Sequence, residues 1–229
     1  MCESFGSFSE INLNCGCPSQ KAKKAGFGAE LMLDPELVTC ILKGMSRRVT
    51  HTDISVKCRI GVTGRESYDE LVDFIEAVKA GGVRHLIVHA RCCVLRGLTP
   101  AQNRSIPPLH PEVVYNLVED FPELKFTLNG GITSFEAAKE HLKSVHGVMI
   151  GREAYRNPWY FSQADELIYG DKRASSWPTR RAVINEYLRY AEQAQTDELF
   201  GSNTCNIIKP LHNVFNGKIL FGKWSEIVP

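Results

Sequence analysis

Apolar residues gather in five short runs along this chain, at 11–14, 54–60, 85–90, 125–129 and 147–150, and the segments between them carry apolar positions at helical spacing. Strand-length runs alternating with helix-length patterns predict βα units on a parallel sheet, an α/β fold. The helix starts carry their own signals. Asp34-Pro35 supplies a cap and a first-turn proline, while Ser67 with Glu70 and Thr133 with Glu136 have the spacing of capping boxes. After Ser67, the residues Leu71, Phe74, Ile75 and Val78 fall on one helical face and are expected in the core.

From about Gly170 the alternation stops. Trp177-Pro178-Thr179 opens a helix whose Ile184, Tyr187, Leu188 and Ala191 share a face, and a second helical stretch runs from about Asn206 through Phe215. The expected organisation is an α/β domain over 1–171 and a helical domain over 172–229. Five βα units fall short of the eight that close a TIM barrel of about 250 residues. Two arrangements follow: an open, doubly wound sheet, or a (β/α)8 barrel from which three upstream units are missing. A lone parallel sheet with bare edges is an aggregation hazard, so a solitary fragment of a barrel would need a partner or be poorly stable.

Composition narrows the functional classes. With 229 residues and 43% hydrophobic content the chain can bury a full core. No run approaches the ~18 consecutive apolar residues of a membrane span, and the start lacks the basic and apolar regions of an export signal. The eight cysteines, at 2, 15, 17, 40, 58, 92, 93 and 205, lack the regular spacing of a small disulfide scaffold. Reduced thiols in an intracellular setting are expected, cytoplasmic by default and organellar if an N-terminal segment is missing. A net charge of +1 gives no global attraction for nucleic acid. RNA contact would have to come from local clusters such as Lys21, Lys23 and Lys24, or Arg47 and Arg48.

The candidate chemistry lies where the apolar runs end. Asn14-Cys15-Gly16-Cys17-Pro18-Ser19 places thiols on a tight turn after the first run, the position at which parallel α/β proteins keep their sites. Cys17, flanked by Gly16 and Pro18, could act as nucleophile, proton donor or metal ligand, whereas Cys15 is expected to pack in the sheet. Lys57 and His89 end successive runs and suggest one shared ligand, because a cation buried at a sheet is costly without an anionic partner. Asn129-Gly130-Gly131 and Gly151-Arg152 end the last two runs. Their glycines let backbone N–H groups converge on a phosphate, and Arg152 adds a bidentate partner. The basic, proline-ended segment from Arg91 to Arg104 suits a lid or a binding loop. No metal centre is expected: Cys15 and Cys17 form C-x-C and Cys92-Cys93 lies near His89, but paired C-x2-C or H-x3-H spacings are absent. Gly26-Phe27-Gly28 does not make a dinucleotide loop, since Leu31 stands where the third glycine belongs.

Several motifs occur together in one order: Ile11-Asn-Leu-Asn-Cys-Gly-Cys-Pro-Ser19, Phe27-Gly-Ala29 with Leu31-Met32, Val56-Lys-Cys-Arg-Ile-Gly61, Val88-His-Ala-Arg91, Gly97-Leu-Thr-Pro100, Asn103-Arg104, Ile106-Pro-Pro-Leu109, Asn129-Gly-Gly-Ile132 and Val148-Met-Ile-Gly-Arg-Glu-Ala-Tyr155. On these residues the sequence closely resembles the tRNA-dihydrouridine synthases, most nearly their A-type branch, strongly over 9–170 and weakly beyond. The resemblance implies a TIM barrel with a C-terminal helical domain, here with about five of its βα units. It also implies a bound flavin mononucleotide (FMN), reduction of that flavin by NADPH, and hydride delivery to C6 of a uracil in tRNA.

By the same resemblance Cys17 matches the proton donor to C5, a role that suits a thiol of ordinary pKa about 8.5. Lys57 and His89 match flavin contacts; Asn129, Gly130, Gly131, Gly151 and Arg152 match the phosphate end; Asn14 and Arg104 match positions that touch tRNA. The tail keeps basic Lys209, Lys218 and Lys223 for tRNA but aligns loosely. Ala101 stands where relatives often have lysine, and the Pro-Met and glutamine flavin contacts of the first three barrel strands are absent. Two rival readings are a non-catalytic RNA-binding remnant and a small-molecule flavin oxidoreductase resembling dihydroorotate dehydrogenase, which shares an Asn-x-x-Cys-Pro turn.

Overall fold

The computed structural model describes residues 8–171, 179–196 and 207–216. The chain divides into two compact units, Met1–Ile150 and Gly151–Pro229. In the first, β1 (Glu10–Asn14) leads through α1 (Gln20–Lys24), a 3-10 helix (Gly28–Leu33) and α2 (Pro35–Ser46) to β2 (Asp53–Arg59). Then come α3 (Tyr68–Ala80), β3 (His85–His89), a 3-10 turn (Gln102–Arg104), α4 (Pro111–Asp120), β4 (Lys125–Asn129), α5 (Phe135–His141) and β5 (Gly147–Met149). All five expected strands are present.

The strands form one parallel sheet in the order β1-β2-β3-β4-β5. A doubly wound sheet reverses its order at a switch point, whereas a barrel wall adds each strand beside the last. The unreversed order therefore decides between the two arrangements: the fold is of the TIM-barrel type, represented by five βα units. Helix starts follow the local signals at two of three places. Asp34 accepts from Leu37 N at 3.0 Å, and Ser67 with Glu70 completes a capping box. The third is shifted by one residue, because α5 is capped by Ser134, whose hydroxyl accepts from Ala137 N at 3.1 Å, and Thr133 is not the cap. Burial of Ile132 and Phe135 fixes that phase.

Strand register sorts the side chains into two faces. Leu13, Val56, Leu86 and Phe126 lie in one row, and Cys58, Val88, Leu128 and Val148 in the next. This apolar face packs under Val38 and Leu42 of α2, Leu71, Phe74, Ile75 and Val78 of α3, and Val114 and Leu117 of α4, all buried. The opposite face is mostly polar. Its rows are Asn12-Ser55-His85, Asn14-Lys57-Ile87-Thr127 and Arg59-His89-Asn129-Met149. Near the strand starts, Asn12 Nδ2 donates to Ser55 Oγ at 2.7 Å, while His85 joins Glu10 Oε2 at 2.6 Å and Thr127 Oγ1 at 2.8 Å.

The second unit holds α6 (Arg152–Arg156), a 3-10 helix (Pro158–Gln163), α7 (Ala164–Tyr169), α8 (Arg180–Thr196) and a 3-10 turn (Lys209–Asn213). Arg180 lies 4.4 Å over the Trp159 ring and donates through Nε to Val214 O at 2.9 Å. Tyr187 donates to Ile207 O at 2.6 Å, and Ala191 and Ala194 are buried on the same helix. Trp177, Pro178 and Asn206 lie outside the described residues. Among the described residues no helix is long and apolar enough to cross a membrane.

Burial works to raise the Glu10 carboxyl, but its hydrogen bonds to Ser55 and His85 outweigh it and hold the group below the ordinary carboxylate range. A carboxylate held low in the fold stabilises at pH above its unfolded pKa and loses that contribution as pH falls through the folded one. Glu10→Gln should therefore lower stability near neutral pH by up to about 1 kcal/mol, as befits a partly exposed pair. The gap between variant and parent should close below about pH 4, under the unfolded carboxyl value. Urea unfolding at a series of pH values measures this.

Candidate active site

Parallel strands all end on one side, so the register that aligns Arg59, His89, Asn129 and Met149 also gathers their loops at one edge of the sheet. Just past β1 the chain stays attached to β2, with Cys15 N donating to Lys57 O at 2.7 Å. It then turns, because Gly16 N donates to Asn14 Oδ1 at 3.0 Å. The turn separates the two thiols. Cys15 is fully buried, and burial pushes its thiol up to about 12. Cys17 is partly exposed, and its S–H donates to Ser19 Oγ at 3.4 Å. Ser19 also caps α1 by accepting from Ala22 N at 3.1 Å.

The backbone of Cys17 is fixed from behind. Its carbonyl accepts from Ala29 N at 2.9 Å, and Gly28, at φ +70, passes so close that a Cβ there would lie 2.4 Å from that oxygen. Only glycine meets both demands.

Lys57 reaches across β3 to donate from Nζ to Asn129 Oδ1 at 3.0 Å, and Asn129 Nδ2 donates to Met149 O at 2.8 Å. One amide thereby holds the ammonium and ties β4 to β5. Burial lowers the pKa of Lys57; the Cys58 thiol acts against the shift, and the neighbouring Arg59 adds to it. His89, 7% exposed, packs over Gly130, where a Cβ would come within 2.8 Å of its ring. Gly130 adopts φ +119, a conformation that favours glycine, and His89 and Leu109 pack against the Asn129-Gly130-Gly131 turn where a side chain would clash.

Two residues that the sequence presents only as members of motifs, with no role of their own, prove to be part of the site. Arg59, 3% exposed, donates from Nε to Gly16 O at 3.2 Å and from Nη1 to Asn103 O at 3.0 Å. Asn103, fully buried, closes the loop after β3 by accepting from Val94 N at 2.8 Å and donating to Val94 O at 2.9 Å. Arg59 lies two residues after Lys57 and hence on the same face.

The expected residues are distributed as follows. Asn14, Cys17, His89, Asn129, Gly130 and Gly131 stand at or just beyond the strand ends of the first unit, Lys57 lies two residues before the end of β2 rather than at it, and Arg104 lies in the 3-10 turn. Gly151 and Arg152 belong to the second unit, where Arg152 opens α6, and Lys209 is an exposed residue of the same unit. Lys218 and Lys223 lie outside the described residues. Among the described residues no three His, Cys, Asp or Glu side chains are grouped to hold a metal ion.

Comparison with known proteins agrees with the resemblance read from the motifs. The dihydrouridine synthase (Dus) family matches residues 3–224. A tRNA-dihydrouridine(20/20a) synthase of Synechocystis sp. is 42% identical over 92% of this chain and 61% of its own length. One of Shewanella oneidensis is 45% identical over 81% of this chain and 54% of its own. The chain thus spans between 54% and 61% of the length of these relatives. The solved dihydrodipicolinate synthase of Aquifex aeolicus covers 84% of this chain, and the chain 73% of it, at 9% identity and a TM-score of 0.40, a likeness too slight to bear on function. By the extent of the family match and the level of identity to its members, this chain belongs to the dihydrouridine synthase family.

Proposed function

We propose that this chain carries the catalytic wall of an FMN-dependent tRNA-dihydrouridine synthase, which reduces the C5–C6 double bond of uridines in tRNA with NADPH as reductant. The observation that carries the reading is the turn of Cys17 lying against the end of β2, beside a strand edge that holds Lys57 on Asn129. The names of the relatives, tRNA-dihydrouridine(20/20a) synthases, make uridines 20 and 20a the positions to examine first.

The residues present suit a flavin. Lys57 is a partly buried cation whose acceptor is a neutral amide, and such a group gains when a polar or anionic ligand completes its shell. Gly130 lets His89 and Leu109 pack directly against the turn, where a side chain would clash with both. In this reading Lys57 and His89 hold the flavin, and Asn129, Gly130 and Gly131 take its phosphate end.

Bound and reduced, the flavin would supply a hydride to C6 of the uracil. The chain's own part is the proton: the Cys17 S–H bond breaks, C5 receives the proton, and water reprotonates the sulfur. The neighbouring thiols of Cys15, Cys58 and Cys93 are buried, and burial pushes them up to about 12, 12 and 11. Cys17 alone of these four is open to a substrate. Asn14 and Arg104 would face tRNA, as would the segment from 172 onward through Lys209, Lys218 and Lys223. Extruding a uridine from its stack costs a few kcal/mol, which such basic contacts offset.

Incubation of the protein with FMN, NADPH and tRNA lacking dihydrouridine should add two hydrogens to a uridine, read by mass spectrometry of the digested RNA. No gain, together with turnover of dihydroorotate, would instead favour the small-molecule oxidoreductase. Cys17→Ala should leave NADPH-dependent flavin bleaching at the parental rate while dihydrouridine formation falls about 100-fold or more, the ordinary worth of a positioned acid. Equal product formation by the variant removes Cys17 from the mechanism. Gly130→Ala should destabilise the chain by roughly 1–3 kcal/mol in urea unfolding, through its positive φ and the clash with His89.

A further inference from the structure

Arg59 is a nearly buried cation, 3% exposed, and its hydrogen bonds go to two backbone carbonyls. No carboxylate of the described residues forms an ion pair with it. Burial lowers its pKa, and although the Cys93 and Cys17 thiols act against the shift, Arg104 and Arg91 add to it. Keeping a guanidinium here is costly, and a plain apolar residue would suit the sheet better. The compensating feature is what the two carbonyls belong to.

Gly16 O is on the peptide that leads into Cys17, and Asn103 O is on the peptide that leads into Arg104. The Asn103 side chain bonds both N and O of Val94, so residues 94–103 form one closed body. Arg91 Nη1 donates to Pro107 O and fastens the exit of the same loop. On the other side, the Cys17 carbonyl is fixed only through Ala29 N and the close approach of Gly28. A shift of the loop therefore has a route to the cysteine turn through the Arg59 guanidinium.

We propose that Arg59 is a positioning residue that couples the loop at 91–107 to the turn at 14–17, so that the setting of Arg104 governs the orientation of the Cys17 thiol. The proposal deepens the reading of Cys17 as the acid that serves a tRNA uridine, and its biological meaning rests on that reading. A polynucleotide seated on the loop would then align the acid as it binds, without Arg59 touching it.

Alkylation with iodoacetamide, followed by mass spectrometry of each cysteine peptide, tests the coupling on the chain itself. Exposed Cys40 on α2 is the internal rate standard, and buried Cys15, Cys58 and Cys93 report that the fold is intact by remaining unlabelled. Arg59→Lys keeps the charge but cannot span both carbonyls, and Asn103→Ala frees the loop without touching the turn. Each should raise the Cys17 rate relative to Cys40 about tenfold, the change expected for loss of one charge-assisted hydrogen bond. The double variant should go no further than the larger single effect, because the two contacts act in series.

An unchanged Cys17 rate in either folded variant, or a double variant whose effects multiply, overturns the proposal. If Arg59→Lys exposes the buried thiols, Asn103→Ala decides alone, and no rise there is fatal. Alkylation reads the turn and not the reaction. A Cys17→Ala protein that still forms dihydrouridine would remove the catalytic reading while the coupling stands.

Discussion

Placing the ammonium of Lys57 near the end of β2 imposes the constraint from which the rest of the site follows. The ammonium is partly buried there, its acceptor is an amide, and β3 lies between donor and acceptor. The bond to Asn129 forms because the parallel register puts both residues on the same face, with Asn129 one pleat further along. Asn129 is held in turn by Met149 O, and Gly130 must lack a side chain so that His89 can pack over the turn. A slip of one residue in β2 or β4 would send Lys57 or Asn129 among the leucines of the helix-covered face.

The same register accounts for the division between stability and chemistry. One face of the sheet is leucine, valine, phenylalanine and cysteine under three helices, and it supplies the burial that holds the unit together. The other carries polar groups along its whole length, from the Glu10-His85-Thr127 chain at the strand starts to the cations at the strand ends. Loops emerging from the strand ends then add the thiol and the arginines. On this face the polar groups are joined to one another across the strands.

Much of this was legible in the sequence, and the limits of legibility have physical causes. The strands, the core face of α3 and the caps at Asp34 and Ser67 could be read because local sequence determines them. Thr133 was read as a cap where Ser134 serves, since burial of Ile132 and Phe135 sets the phase and two adjacent hydroxyls compete for one role. Strand order was not readable, because βα alternation is common to wound sheets and barrels, and only the pairing β1-β2-β3-β4-β5 separates them. Lys57, His89 and Asn129 were found as polar ends of apolar runs. Arg59 and Asn103 stood in motifs without a role, because their partners are backbone carbonyls 43 and 9 residues away that leave no local pattern.

The central claim is that the edge built around Lys57 and Asn129 is a flavin seat, and titrating FMN with the purified chain tests it most directly. The flavin's fluorescence should change and saturate as protein is added, and Lys57→Met should weaken the binding about tenfold or more, the worth of one charged hydrogen bond at a partly buried site. Lys57→Met protein that binds FMN as tightly as the parent, or a parent that leaves the fluorescence untouched, would contradict the account.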